Sequence, residues 1–202
     1  MRADAEKNYQ RIIEVARDVV TENGIHASLR DIARRANLGM ATLLRHFPTR
    51  EALFEALLCT RAEDLIQKAH DLEKSLPADD ALLAWFREGV IFTHSYNGVC
   101  DLMASAHADP NSALHASSIA LRTVGGRLLR RAQTEGTARP DMDGVDLFAL
   151  ISAMGWMVGQ PSFTPRAENL YHIIASAILT NQPDNGVDKH DTDNEPGSAF
   201  LR

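Results

Sequence analysis

Apolar residues recur at three- and four-residue spacing along almost the whole chain, with polar residues between them, and this pattern predicts helices and no strand. Ile12, Ala16, Val19 and Val20, with Val15, form a stripe on a helix from about Asp4 to Glu22. It ends at Asn23-Gly24, where glycine suits the position past a helix end. Leu29, Ile32, Ala33 and Ala36 form a second stripe, on a helix that Ser28 can cap and whose first turn holds Asp31, favoured by the helix dipole. Asn37-Leu38-Gly39 breaks that helix, since Asn and Gly tolerate the left-handed backbone of a tight turn and Leu38 can tuck beneath it. A short third helix follows, with Leu43 and Phe47 one turn apart and facing inward. Pro48 stops it, Thr49 caps the next helix with Glu51 in its first turn, and the pattern runs on to about Lys74.

Further along, breaks fall at Leu76-Pro77-Ala78-Asp79, at Asn97-Gly98, at Asp109-Pro110 and from Glu135-Gly136 to Asp143-Gly144. They predict helices over 79–96, 98–107, 111–135, 144–159 and 165–181, about nine in the chain, and an all-α fold. Two of these carry clean apolar stripes, Leu147, Ile151, Met154 and Val158 on one and Leu170, Ile173, Ile174, Ala177 and Ile178 on the other. Such stripes fit the core of one subunit and equally a helical interface with a second copy. From Gln182 onward, Pro183, Gly186, Pro196 and Gly197 interrupt a stretch poor in apolar residues until Phe200-Leu201, with five acidic residues and two basic ones, the composition of a disordered tail over 182–202.

Residues 28–47 have an outline of their own: two short helices on a tight turn, with Met40, Ala41, Leu44 and Arg45 turned outward on the second. A plain helical hairpin and a DNA-reading helix-turn-helix both fit that outline. A helix before it and another after it supply the partners that a DNA-binding head needs. Charge agrees. Residues 1–50 hold nine Lys and Arg (2, 7, 11, 17, 30, 34, 35, 45, 50) against six Asp and Glu (4, 6, 14, 18, 22, 31), about +3 in a chain of net charge −6. An acidic protein with a locally basic head touches nucleic acid with one end only, which excludes a uniformly basic coating protein.

The string A-N-L-G-M-A-T-L-L-R-H-F-P-T-R-E-A-L, from Ala36 to Leu53, resembles the core of the DNA-binding domain of the tetracycline-repressor (TetR) family, commonly A-G-V-S-x-x-T-L-Y-x-H-F-x-x-K-E-x-L. The resemblance covers the first sixty or so residues. It implies a three-helix DNA-binding domain over residues 1–50, a fourth helix over 49–74 that links onward, and a larger helical ligand-binding and dimerisation domain over 51–181. It also implies that the helix from about Met40 to His46 enters the major groove, where each base pair shows its own donor and acceptor pattern. Arg30 then matches a position that can reach a base, and Thr42, His46 and Arg50 match positions that hold phosphates, with Ser28 at the start of the preceding helix. Gly39 stands where the family usually has a serine cap, and Leu44 where it usually has a tyrosine; both changes remove a hydroxyl. Met40, Ala41 and Leu44 would favour thymine methyl groups or fit groove shape. Arg34, Arg35 and Arg45 are open to two readings, a solvated face or phosphate contact. The segment from Asp101 through Arg139-Pro140-Asp141 resembles the C-terminal domain of a subgroup described as SbtR-like.

The implied function is a ligand-responsive regulator, commonly a repressor, acting as a homodimer on a palindromic double-stranded operator and answering to a small-molecule effector. Possible lining for an effector is offered by Trp85, Phe86, Phe92, His94, Tyr96, Met103, His107 and Trp156, although aromatics also dominate ordinary cores. A helical protein that binds a small molecule without DNA is the alternative left open by Gly39 and Leu44, and a helical enzyme is a more distant one. No catalytic constellation supports the enzyme: Gly125-Gly126 sits inside a predicted helix, where close helix contact or a kink explains it, and the serines lack a G-x-S-x-G context. His94, His107 and His115 with Asp101 and Asp109 have no zinc-site spacing, so neither metal nor cofactor is expected. Cys59 and Cys100 read as buried thiols in a reducing compartment. The chain shows no basic-then-apolar leader and no apolar run near the roughly twenty residues a membrane helix needs, so a cytoplasmic, membrane-free protein is expected.

Overall fold

In the computed structural model, residues 2–102 and 104–180 are described, apart from the side chains of residues 2, 3, 25, 97, 100, 102 and 107. They form nine α-helices: α1 (Arg2–Asn23), α2 (Leu29–Arg35), α3 (Met40–His46), α4 (Arg50–Ser75), α5 (Ala78–Leu102), α6 (Ala104–Ala108), α7 (Ala113–Thr134), α8 (Gly144–Val158) and α9 (Ala167–Ile178). Among the described residues the nearest thing to a strand is one isolated antiparallel bridge, Ala138 to Leu179. The tail expected over 182–202 lies outside the described residues, and the helix expected to reach 181 ends at Ile178, where Leu179 turns extended at φ −87° and ψ 145°.

Two compact units emerge. The first comprises the residues up to Asp64 together with Ser95–Ile119, and the second Leu65–His94 together with the residues from Ala120 on. In the first, Ile12, Ala16, Val19 and Val20 of α1, Ile32 and Ala33 of α2, Leu43 of α3 and Leu53, Phe54 and Leu57 of α4 are buried together as its core. The helix ends follow their sequence signals. The Ser28 Oγ accepts from the Arg30 amide at 3.3 Å, and the Thr49 Oγ1 accepts from the Ala52 amide at 3.0 Å. Asn37 takes the left-handed conformation at φ 54°. Gly39 does not: its φ of −68° and ψ of 146° are open to any residue, and a Cβ there would meet nothing within 4 Å.

One expected break is absent. α5 runs unbroken through Asn97-Gly98, although glycine costs a helix about 1 kcal/mol. Tyr96 and Val99, on either side, are buried, and the burial of two such side chains, about 1.5–3 kcal/mol each, outweighs that cost.

In the second unit, α8 opens with a reciprocal cap. The Asp143 carboxylate accepts from the amides of Val145 and Asp146, at 2.7 and 3.0 Å, and Asp146 accepts in return from the Asp143 amide at 3.0 Å. The loop before it is clasped to the end of α9: the Arg139 amide donates to the Ile178 carbonyl and the Thr180 amide to the Thr137 carbonyl, both at 3.0 Å. Arg87 of α5 grips α9 through both Glu168 oxygens, at 3.2 and 2.9 Å, and lies 4.4 Å from the centroid of the Tyr171 ring.

Candidate nucleic-acid interface

α3 is seven residues long, too short to be stable alone, and is held by its inner face. Leu43 and the following Phe47 are buried, and Phe47 packs against Tyr9 of α1 with ring centroids 5.1 Å apart. The opposite face is left to solvent: Met40 is 38% exposed and Leu44 39%, with Ala41 and Arg45 also exposed. Thr42 and His46 are half-buried at its flanks. Arg50, at the start of α4, has its guanidinium 5.5 Å from the centroid of the Phe54 ring. Ser28 is spent on its capping bond, and Arg30, next to Leu29 at the start of α2, is exposed. Gly39, just before Met40, caps α3 without a side chain, so the start of that helix lacks a hydroxyl.

The arginines separate into two groups, which spacing alone does not reveal. Arg34 is bonded to Asp31. Arg35 reaches Glu22 at 2.7 Å and Asp31 at 2.9 Å. The Asp31 carboxyl is held below its usual range, first by its hydrogen bond from Arg34, and Arg35 is pushed further up, first by Glu22. These two guanidiniums are neutralised locally. The guanidiniums of Arg30 and Arg45 have no hydrogen-bond or ion-pair partner among the described residues. The signal that could have separated them in sequence is the position of Glu22 and Asp31, which requires knowing how α1 and α2 cross.

The residues offered as effector lining scatter. Trp85 and Phe86 are buried in the second unit, the indole Nε1 donating to the Leu65 carbonyl at 3.0 Å and Phe86 lying 6.1 Å from Tyr171. Phe92 and His94 are half-buried. Tyr96 belongs to the first unit, where it hydrogen-bonds with Thr21 and Arg61. Trp156 is 50% exposed. Met103 and the His107 side chain lie outside the described residues.

His94 has a testable consequence. Its Nδ1 is buried without a hydrogen-bond partner, beside Gly159 just past the end of α8, and burial pushes its pKa down. The folded state therefore favours the neutral ring. Its contribution is complete above the unfolded value of about 6.5 and is lost as pH falls from there toward the lowered folded value. Melting temperature measured from pH 8 to pH 5 should fall less in His94→Gln than in the parent; parallel curves would refute this.

The stripes proposed for a second copy also divide. Leu147, Ile151, Met154 and Val158 are buried inside their own unit, Ile151 against Gly89. α8 is apolar almost all round, so a stripe read from spacing marks its inner face and passes over the outer one. The outer face carries Val145, 59% exposed, with Ala149, Ala153 and Trp156. On α9, Ile178 is buried and Leu170 and Ile174 half-buried, while Ile173, 55% exposed, and Ala177 face out.

Residues 12–57, which hold the two short helices and their turn, match the family model described as bacterial regulatory proteins, tetR family, and residues 77–178 match that of the SbtR-like transcriptional regulator C-terminal domain. The chain belongs to the TetR family. It is a DNA-binding transcriptional regulator with an SbtR-like C-terminal domain. It is 26% identical over 151 residues to the HTH-type transcriptional regulator UidR of Escherichia coli, covering 71% of this chain and 75% of that one. The crystal structure of the TetR transcriptional regulator SCO0520 from Streptomyces coelicolor matches with a TM-score of 0.69 at 29% identity, over 85% of this chain and 98% of that one. The fold is also that of FadR from Bacillus subtilis, solved in complex with stearoyl-CoA, with a TM-score of 0.58 at 16% identity over 84% of this chain and 99% of that one. Among the described residues no group of three or more His, Cys, Asp or Glu could hold a metal ion, and no helix is long and apolar enough to cross a membrane.

Proposed function

We propose that the protein is a homodimeric repressor that binds a palindromic operator and leaves it when a small molecule binds the second domain. Residues 1–50 serve as the DNA-binding domain and 51–181 as the ligand-binding and dimerisation domain, and the work is done in the cytoplasm. The observation that carries the DNA half of this reading is the outward face of α3 flanked by Arg30 and Arg45, whose exposed guanidiniums have no hydrogen-bond or ion-pair partner among the described residues. A single seven-residue helix contacts few base pairs, and a two-fold pair set a helical turn apart multiplies the reading. The outer face of α8 and α9, with Val145, Trp156 and Ile173, supports the pairing, because a solvent-facing patch rich in aromatic and aliphatic groups fits an interface core. FadR supports the ligand half, since that protein, which shares the fold, was solved in complex with stearoyl-CoA. Release follows if the ligand favours a state that spaces the two heads wrongly for the operator.

The test is binding to a selected duplex across a salt series. Arg45→Ala should weaken binding on every sequence and lower the salt slope by about one charge per subunit, about two for the dimer, whereas Arg34→Ala should leave the slope unchanged. Arg30→Ala should cost about 1–3 kcal/mol and relax preference at one position of each half-site. If Arg34→Ala and Arg45→Ala lower the slope equally, the separation of the arginines by their ion pairs is refuted.

A further inference from the structure

We propose that α3 reads its operator through the C5-methyl groups of thymine, with Met40 and Leu44 as the contacting side chains and Ala41 between them allowing close approach. The proposal rests on the DNA-binding function argued above and names the base chemistry that this site takes. Met40 and Leu44 lie four residues apart on one face of α3, about 6 Å along its axis. Both stay more than a third exposed while Leu43 and Phe47 on the other face are buried. Neither side chain offers a hydrogen bond of useful strength, and Ala41 offers none at all. These three side chains therefore cannot pair with the donors and acceptors that distinguish guanine, cytosine and adenine in the major groove. The apolar group that the groove presents is the thymine methyl.

Charge commits the occupant of this face to DNA. Arg45 stands beside Leu44 and Arg30 lies near the start of α2, neither with an ion-pair partner among the described residues, whereas Arg34 and Arg35 are closed by carboxylates. A protein partner seeking an apolar patch would gain nothing from two unneutralised guanidiniums at its edge, while a duplex supplies phosphates beside its methyl groups. The fold does not demand glycine at position 39, so the lack of a hydroxyl there belongs to the same pattern, a helix start without a side-chain hydrogen-bonding group.

The experiment selects a high-affinity duplex from a random library with the full chain, then replaces each thymine of the half-site by deoxyuridine, which removes the methyl and leaves every hydrogen-bonding edge intact. Affinity should fall about fourfold for each methyl that Met40 or Leu44 covers, as expected for one buried methyl-sized group. In Leu44→Ala the penalty should vanish at one position and persist at the other; a merely structural role would lower affinity for both duplexes alike. Placing 5-methylcytosine opposite guanine at the same step returns the methyl to the same place and should bind more tightly than plain cytosine there, and equal binding of cytosine and 5-methylcytosine would overturn the methyl contact. Equal binding of the thymine and uracil duplexes overturns the proposal while DNA binding stands. A folded protein that enriches no sequence at low salt overturns the DNA-binding reading and this proposal together.

Discussion

Gly125→Ala should lower the stability of the protein by about 3 kcal/mol, a drop of roughly 9 °C in melting temperature for a chain of this size. A Cβ at Gly125 would stand 2.5 Å from Cζ3 and 2.7 Å from Cη2 of Trp85, and 3.3 Å from a methyl of Leu147. The indole cannot turn aside, because it is buried and its Nε1 is bonded to the Leu65 carbonyl. The helix α7 must shift, and a close-packed interior transmits that shift as strain. Adding Trp85→Phe to Gly125→Ala should recover part of the loss by removing the ring that is struck, even though Trp85→Phe is itself destabilising. Thermal or urea unfolding of the four proteins forms the cycle. A Gly125→Ala protein as stable as the parent would show that the contact yields at little cost.

In the homodimer proposed above, Trp156→Glu should weaken association at least about 30-fold, with little change in the stability of the subunit. The indole is half exposed on the outer face of α8, so its replacement leaves the core intact. Buried at the centre of a two-fold interface, a glutamate would face its own symmetry mate or lose its water without a partner. Sedimentation across a dilution series reads the effect, and DNA affinity should fall with it. Leu147→Ala is the contrasting variant: its side chain is buried within the unit, so unfolding should shift by about 2–5 kcal/mol while association of the folded protein holds. A Trp156→Glu protein that sediments as the parent does would move the pairing surface elsewhere.

These two residues also mark where the sequence is legible. The DNA-reading hairpin was legible because each of its signals is local: Ser28 and Thr49 cap, Asn37 turns left-handed, and Leu43 and Phe47 recur on one face. Asn97-Gly98 misled because a local preference of about 1 kcal/mol yields to the burial of Tyr96 and Val99, which depends on partners distant in the chain. The α8 stripe chose the inner face because a helix apolar on two sides gives spacing no means of ranking them. Gly125 was read as a close helix contact or a kink; the contact is with the Trp85 ring, forty residues away, and no periodicity announces it. The arginines of the head are alike in sequence, and only the crossing of α1 and α2 brings Glu22 to Arg35.

The reading helix and the outward face of α8 and α9 share no residue and belong to different units, and this has a genetic consequence. On the proposed function, a lesion confined to α3, such as loss of Arg45, leaves a subunit that still pairs. In a cell carrying one normal and one altered copy, most pairs would then contain a defective head, and the altered allele should be dominant over the normal one. A lesion at Trp156 removes the altered subunit from pairing, leaves the normal subunits to each other, and should be recessive.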